Sequence, residues 1–284
     1  MKNKILCGKE LSTEILAKVK NQVDNLTQQR KPSLAVVLVG TDPASQIYVK
    51  NKKNACAAVG IISQEFLLPE TTSESELVDL IMQLNKDKNI DGILVQLPLP
   101  KHLNSNLVIN TIVPDKDVDG FHRYNMGSLA VNSPQLCPCT PHGVMYMLDS
   151  LNLNYHGKNA VVIGASNIVG RPMALELLNR GATVTICNSK TKNLPLVAAT
   201  ADILVVAVGR AKMVKKSWIK EGSIVIDVGM NRDTMGTLCG DVDFTDVIDQ
   251  VAHITPVPGG VGKMTIAMLI KNTMHCYNMH TLSA

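Results

Sequence analysis

Aromatic side chains are scarce in this chain: 3% of 284 residues, with one Trp, five Tyr and three Phe. That leaves too few rings for the stacking platform on which single-stranded nucleic acid lies. Strong charge is missing too, since a net +4 spread evenly along the chain is too mild for a nucleic-acid footprint. No apolar run reaches the length of a membrane span, and the N-terminal residues lead into an amphipathic segment without a signal-like apolar block. Cysteine is present without a framework. Seven thiols is an odd number at irregular spacings, in a chain large enough not to need staples, so reduced thiols and a cytoplasmic location are expected. The close pair in Cys137-Pro138-Cys139 lacks the second pair or spaced histidines of a zinc site, and no metal is expected. Nucleic acid and membranes drop out as partners.

A hydrophobic content of 45% is enough for a real core, and the length suits two domains. Apolar runs at Leu34–Val39, Ile61–Leu68 and Asp91–Leu97 alternate with helical periodicity over residues 9–28, 44–59, 73–84 and 105–112. Ser73-Glu74-Ser75-Glu76 is a capping box for the third of these helices. After a proline-rich crossing at Pro134–Pro141 and a helix over 143–151, strand and helix alternate again. The expected fold is α/β: two helix-covered parallel-sheet domains with an active-site cleft between them, the second domain of the Rossmann type. The boundaries are residues 1–138, completed by a C-terminal helix over 263–284, and residues 139–262.

The second domain is organised around Asn159–Pro172. Val161, Val162 and Ile163 form a buried strand, Gly164 permits a sharp turn, and Pro172 suits a first helical turn. Unbonded N–H groups at such a helix start attract phosphate. Ser166 stands where the usual dinucleotide fingerprint has its middle glycine, so an ordinary strand-to-helix turn is the competing reading. The next strand, Thr183–Cys187, ends in Asn188-Ser189-Lys190-Thr191-Lys192. With two lysines and no carboxylate there, the site favours the 2′-phosphate of NADP over the free ribose of NAD, with Ser189 as donor and Lys190 and Lys192 as charge; two solvated lysines in a surface loop are the plainer alternative. Further strands at Ile203–Val208 and Ile224–Val228 stop at Gly209 and at Gly229-Met230-Asn231, which places more loops on one sheet edge.

In the first half, Tyr48 and Lys52 lie four apart and share a helical face just beyond a strand's carboxyl end. A lysine among apolar and aromatic groups loses hydration and can act as a base near neutral pH; a tyrosine packed on the stem of an exposed lysine is the plainer alternative. Gln96 is a polar amide ending an apolar strand, either structural or facing a ligand. Asp115, Asp117 and Asp119 are close together but lack the ladder of a calcium loop, so they read as a structured turn with one functional carboxylate. The loop Thr255-Pro256-Val257-Pro258-Gly259-Gly260-Val261-Gly262 joins fixed backbone to bare backbone, a combination suited to clamping something flat.

Six motifs occur in a fixed order: Pro43-Ala44-Ser45 with Tyr48-Val49-x-x-Lys52; Val95-Gln96-Leu97-Pro98-Leu99-Pro100; Pro114-x-Lys116-Asp117-Val118-Asp119-Gly120; Pro138-Cys139-Thr140-Pro141; Gly164-x-Ser166-x-Ile168-Val169-Gly170-x-Pro172; and the Thr255–Gly262 loop. In these the chain resembles, from end to end, the bifunctional methylenetetrahydrofolate dehydrogenase/methenyltetrahydrofolate cyclohydrolase family. The resemblance implies oxidation of 5,10-methylenetetrahydrofolate with NADP, then hydrolysis of the product to 10-formyltetrahydrofolate. It implies that Lys52 is the central catalytic group, that Gln96 bonds to it, that Tyr48 lies against the folate rings and that Asp119 binds the pterin's amino edge. Leu97, Pro258, Gly259 and Gly260 would complete the substrate site, and Gly164, Ala165, Ser166, Ser189 and Met230 would hold NADP. Ala165 stands where some members carry an arginine, which leaves the 2′-phosphate to Ser189 and the lysines, and Met230 stands for a more usual isoleucine. A homodimer formed through the cofactor domains is also implied. A dehydrogenase of another small molecule and a non-catalytic dinucleotide-binding protein are the alternatives.

Overall fold

β-branched runs and well-capped helices alternate through most of the chain, and the computed structural model, which describes residues 4–27 and 30–282, turns that alternation into two parallel sheets. Two compact units result, one of residues 13–139 with 266–282 and the other of residues 4–12 with 140–265. The first unit contains most of α1 (Gly8–Asp24), then β1 (Ser33–Val39), α2 (Pro43–Val59), β2 (Ile62–Leu68), α3 (Glu74–Lys86), β3 (Gly92–Val95), α4 (Ser105–Thr111) and α5 (Arg123–Ala130). Helix α1 ends at Asp24, short of the expected 28, a position that lies outside the described residues.

The first sheet has the order β2-β1-β3, all parallel. β1 is the middle strand and is buried at every position, as its unbroken apolar run requires. Helix α3 opens with the expected capping box, in which Ser73 Oγ accepts from Glu76 N and Glu76 Oε2 accepts from Ser73 N. At its other end the Lys116 ammonium donates to the carbonyls of Leu84, Asn85 and Asp87 at 3.1, 2.9 and 2.7 Å. A cation there satisfies the last carbonyls and the negative end of the helix dipole.

The second unit contains α6 (Cys139–Asp149), β4 (Asn159–Ile163), α7 (Gly170–Asn179), β5 (Thr183–Cys187), α8 (Leu194–Ala198), β6 (Ile203–Val206), β7 (Ile224–Asp227), the short hairpin β8 (Asn231–Arg232) and β9 (Leu238–Cys239), α9 (Phe244–Val247) and β10 (His253–Ile254). Its sheet runs β10-β7-β6-β4-β5, all parallel. Residues 4–12 join this unit through the backbone: Leu6 N donates to Ile254 O at 2.8 Å and Gly8 N to Gly259 O at 3.1 Å. The last helix, α10 (Val261–Leu282), begins two residues before the expected 263 and runs to Leu282; the last two residues of the expected 263–284 lie outside the described residues.

Each unit has its own core. In the first, Ala35, Val37, Ile93 and Val95 pack on Leu77, Ile81 and Leu84 of α3. In the second, Val161, Ile163, Leu204, Val206 and Val225 pack on Ala198, Val247 and Val251. None of the seven cysteines is in a disulfide, and six of them are buried.

Candidate active site and cofactor edge

Helix α2 sets the first group of site residues. Pro43 occupies its first turn, the Asp42 carboxylate accepts from Ser45 N at 2.7 Å, and Gly60 closes it at φ +83°, where its N–H returns to Ala57 O. The buried stripe of this helix is Ser45, Val49, Lys52, Cys56 and Val59. Lys52 therefore sits where the helical period calls for an apolar side chain, while Lys50 and Lys53 face solvent and Lys53 pairs with Glu65 at 2.7 Å. The plainer reading of Lys52 as a surface lysine fails on this phase.

Strand β3 supplies the partner. Gln96 N continues the ladder beyond the strand by donating to Val37 O at 2.8 Å, which fixes the side chain at the carboxyl edge of the sheet. Lys52 Nζ donates to Gln96 Oε1 at 3.0 Å, and Gln96 Nε2 donates to Leu97 O at 2.7 Å. Lys52 is 7% exposed and Gln96 9%. Among the described residues no carboxylate lies within ion-pair distance of Lys52, and Gln96 is its hydrogen-bond partner. An ammonium has three donors, so a buried one with a single acceptor keeps two N–H groups for a ligand or water.

The acidic turn runs alongside. Ile93 N donates to Lys116 O at 2.7 Å and Ile93 bridges Asp117, so the Pro114–Gly120 segment continues the sheet edge past β3. Gly92 is needed there, because a Cβ on it would stand 2.3 Å from Val118 Cγ1. Asp117 is buried and accepts from His122 N at 2.7 Å and Asn125 Nδ2 at 2.9 Å. Burial pushes its carboxyl up to about 6, against the pull of those donors. Asp119 keeps part of its surface exposed, and desolvation raises its carboxyl while the Lys52 charge lowers it. Asn272, from the end of the chain, fastens the turn by donating to Val118 O at 2.9 Å and Cys137 O at 3.2 Å. Desolvation drives two thiols beside these groups upward, Cys56 to about 12 and Cys139 well above its ordinary value, which disfavours their thiolates. Tyr48 is half-buried on the Lys52 face, and desolvation raises its phenol. Thus Lys52 and Gln96 are bonded, and Tyr48, Leu97 and Asp119 belong to the same unit.

In the second unit the turn after β4 is built by two glycines. Gly164 adopts φ +120°, and a Cβ there would lie 2.2 Å from Ala207 O; one on Gly170 would lie 1.9 Å from Gly164 O. Ser166 Oγ accepts from Val169 N at 3.2 Å and more weakly from Gly170 N at 3.4 Å. The backbone N–H groups of residues 165–168 donate to no protein acceptor among the described residues, and they stand at the start of α7, a ten-residue helix. Such a cradle suits a pyrophosphate. Ser189, Lys190 and Lys192 are exposed past the end of β5, whose Cys187 O accepts from Gly164 N at 3.0 Å. Met230 is 49% exposed, and its Cε stands 3.5 Å from where a Cβ on Gly262 of the proline-glycine loop would be. In that loop Pro258 is exposed, Gly259 has φ +104°, and Gly260 has Pro256 O where a Cβ would go. The residues present thus fit a dinucleotide.

The comparisons follow this geometry. Residues 6–119 match the model of the tetrahydrofolate dehydrogenase/cyclohydrolase catalytic domain, and residues 138–281 match that of the family's NAD(P)-binding domain. The chain belongs to the tetrahydrofolate dehydrogenase/cyclohydrolase family. It is 55% identical to a bifunctional protein FolD of Neisseria gonorrhoeae over 99% of both chains. The crystal structure of a bifunctional FolD enzyme from Campylobacter jejuni superposes with a TM-score of 0.95 at 48% identity, covering 97% of this chain and 99% of that one. A Trypanosoma brucei FolD complexed with NADP cofactor and an inhibitor gives 0.94 at 34% identity, covering 99% and 98%.

Two carboxylates escaped the sequence reading. Asp241, fully buried, accepts from Val208 N, Gly209 N, Arg210 N and Asn231 Nδ2. Asp227 accepts from Gly229 N, Asp241 N and Val242 N, each at 2.9 Å. Their mutual packing shows only in the structure: each lies within two residues of a glycine whose Cβ would strike the other's carboxylate, Gly229 on Asp241 and Gly240 on Asp227.

Proposed function

We infer that this chain is the bifunctional folate enzyme its family implies: it oxidises 5,10-methylenetetrahydrofolate to the 5,10-methenyl form with NADP and hydrolyses that product to 10-formyltetrahydrofolate. The observation that carries the reading is the buried Lys52–Gln96 pair at the carboxyl edge of the first sheet. Residues 13–139 form the folate-binding part and residues 140–265 the NADP-binding part of this proposal.

NADP, when bound, supplies the hydride acceptor for the first step. The first unit's task there is alignment, with Tyr48 and Leu97 against the flat rings and the Asp119 carboxylate accepting from the pterin's amino group. Pro258, Gly259 and Gly260 offer bare backbone to the same substrate. In the hydrolytic step water adds to the methenyl carbon, one carbon–nitrogen bond of the ring breaks, and one proton is released overall. Lys52 Nζ handles the proton that passes from the attacking water toward the departing nitrogen. Gln96 Oε1 takes one N–H of that amine and so aims it. Gly164, Ala165 and Ser166 receive the pyrophosphate, and Ser189 with Lys190 and Lys192 receives the 2′-phosphate. The protein acts as a homodimer formed through its cofactor-binding parts, and seven cysteines without a disulfide suit the cytoplasm.

The test is incubation of the purified chain with methylenetetrahydrofolate and NADP, following methenyl and then formyl product by absorbance. Turnover of neither substrate, with NADP still bound, would leave a dinucleotide-binding protein; oxidation without hydrolysis would remove the role given to Lys52.

A further inference from the structure

Asp241 makes four hydrogen bonds, and the groups it holds are not scattered. Its Oδ2 accepts from Val208 N at 2.7 Å and Gly209 N at 3.1 Å, and its Oδ1 from Arg210 N at 2.8 Å and Asn231 Nδ2 at 2.9 Å. The first three belong to the loop that leaves β6 and the fourth is the first residue of β8, which follows the short loop leaving β7, both on the carboxyl edge where a parallel α/β sheet binds its ligand. The β6 loop in turn touches the glycine turn, since Ala207 O occupies the space a Cβ on Gly164 would need.

Behind Asp241 stands Asp227. Its Oδ1 accepts from Asp241 N and Gly229 N, and its Oδ2 from Val242 N. Thr255 Oγ1, at the head of the proline-glycine loop, accepts from Asp227 N at 2.8 Å. Seven donors therefore converge on two buried carboxylates, and four segments of the cofactor edge are fixed to one another through them. No neutral side chain of that size can replace Asp241, because an amide offers one acceptor oxygen and turns its N–H₂ toward donors. Backbone N–H groups held by an ionised carboxylate are also held more tightly than by a neutral acceptor.

We propose that Asp241, braced by Asp227, is a positioning residue for NADP: it sets the backbone of Val208–Arg210 and Gly229–Asn231 in the arrangement the dinucleotide binds. The inference rests on the cofactor reading of the second unit and adds to it a residue that touches no ligand. A purely structural role would lower stability and leave the affinity of the folded protein alone. The positioning role changes affinity at temperatures where the variant is fully folded.

The experiment titrates the full chain with NADP and measures amide hydrogen exchange in its absence. The native chain is titrated first, and failure to bind NADP there overturns the cofactor reading itself, a result distinct from anything the variants show. Asp241→Asn is expected to raise the NADP dissociation constant tenfold or more and to speed exchange at the amides of Val208, Gly209 and Arg210, with exchange in α2 unchanged. Asn231→Ala, which removes one of the four donors and keeps the carboxylate, is expected to raise it about threefold, and it decides the matter if Asp241→Asn does not fold. A dissociation constant within twofold of native in Asp241→Asn, or in Asn231→Ala where that variant decides, overturns the proposal.

Discussion

Replacing Lys52 by Met is the most informative single perturbation of this molecule. The side chain is 7% exposed and its amine makes a 3.0 Å bond to Gln96 Oε1. Methionine is close in length and carries no proton to exchange. Loss of the donor leaves a buried amide oxygen unmet, at a cost of about 1–3 kcal/mol, and the apolar replacement offsets part of it by removing a buried charge. Stability therefore changes modestly. Hydrolysis changes far more: a positioned proton carrier contributes about 10²–10⁴-fold, or roughly 3–5 kcal/mol of barrier. Three measurements on one preparation check this: the decay of methenyl absorbance, the melting temperature, and an NADP titration. The expected pattern is a loss of hydrolysis of at least about a hundredfold with a folded protein and near-native NADP affinity. Lys52→Arg sharpens the result, because a guanidinium keeps the charge and cannot release its proton. A folded Met variant that hydrolyses methenyltetrahydrofolate within about threefold of the native rate would refute the assignment.

Other perturbations follow from the same geometry. Gly170→Ala sets a Cβ 1.9 Å from Gly164 O, so the turn must shift; NADP affinity falls at least about tenfold on titration, with folate hydrolysis less affected. Burial raises the Asp227 carboxyl from 3.8 to about 7, so between those values the native state keeps a proton that the unfolded chain has lost. Its stabilising contribution is complete below pH 3.8 and is lost as pH rises through 7, at up to about 1.4 kcal/mol per pH unit. Melting temperatures from pH 5 to pH 8 should fall more steeply in the native protein than in Asp227→Asn, and parallel slopes would contradict this. Ser73→Ala removes the capping oxygen at the start of α3 and should cost about 1 kcal/mol in a denaturant titration without altering either activity.

Much of the fold was legible because its signals are local. Val161, Val162 and Ile163 read as a strand buried on both faces and are one; Ser73 and Glu76 read as a capping box and close one. Strand ends were read too long where the apolar run outlasts the ladder, as at Val208 and Val228, which stand in the loops after β6 and β7. Lys52 was distinguishable from Lys50 and Lys53 by helical phase alone, since it falls between Val49 and Cys56 on the buried stripe. Its bond to Gln96, 44 residues away, could come only from the resemblance or from coordinates. Asp227 and Asp241 were missed for a related reason. An aspartate beside a glycine in sequence looks like turn chemistry, and only the packing of four loops reveals that each carboxylate is surrounded by donors from other segments. Lys116 shows the same limit, for its three carbonyl partners lie 29 to 32 residues away along the chain.

The assignment of residues 4–12 to the second unit bears on any attempt to dissect the polypeptide. A fragment beginning at Thr140 would strip the outer edge of β10, leaving Ile254 O without Leu6 N and Gly259 O without Gly8 N. It would also uncover the groove into which Gly8 fits against Gly260, where not even a methyl group has room. Isolating the nucleotide-binding half with these contacts intact would thus require grafting this short leading peptide onto it.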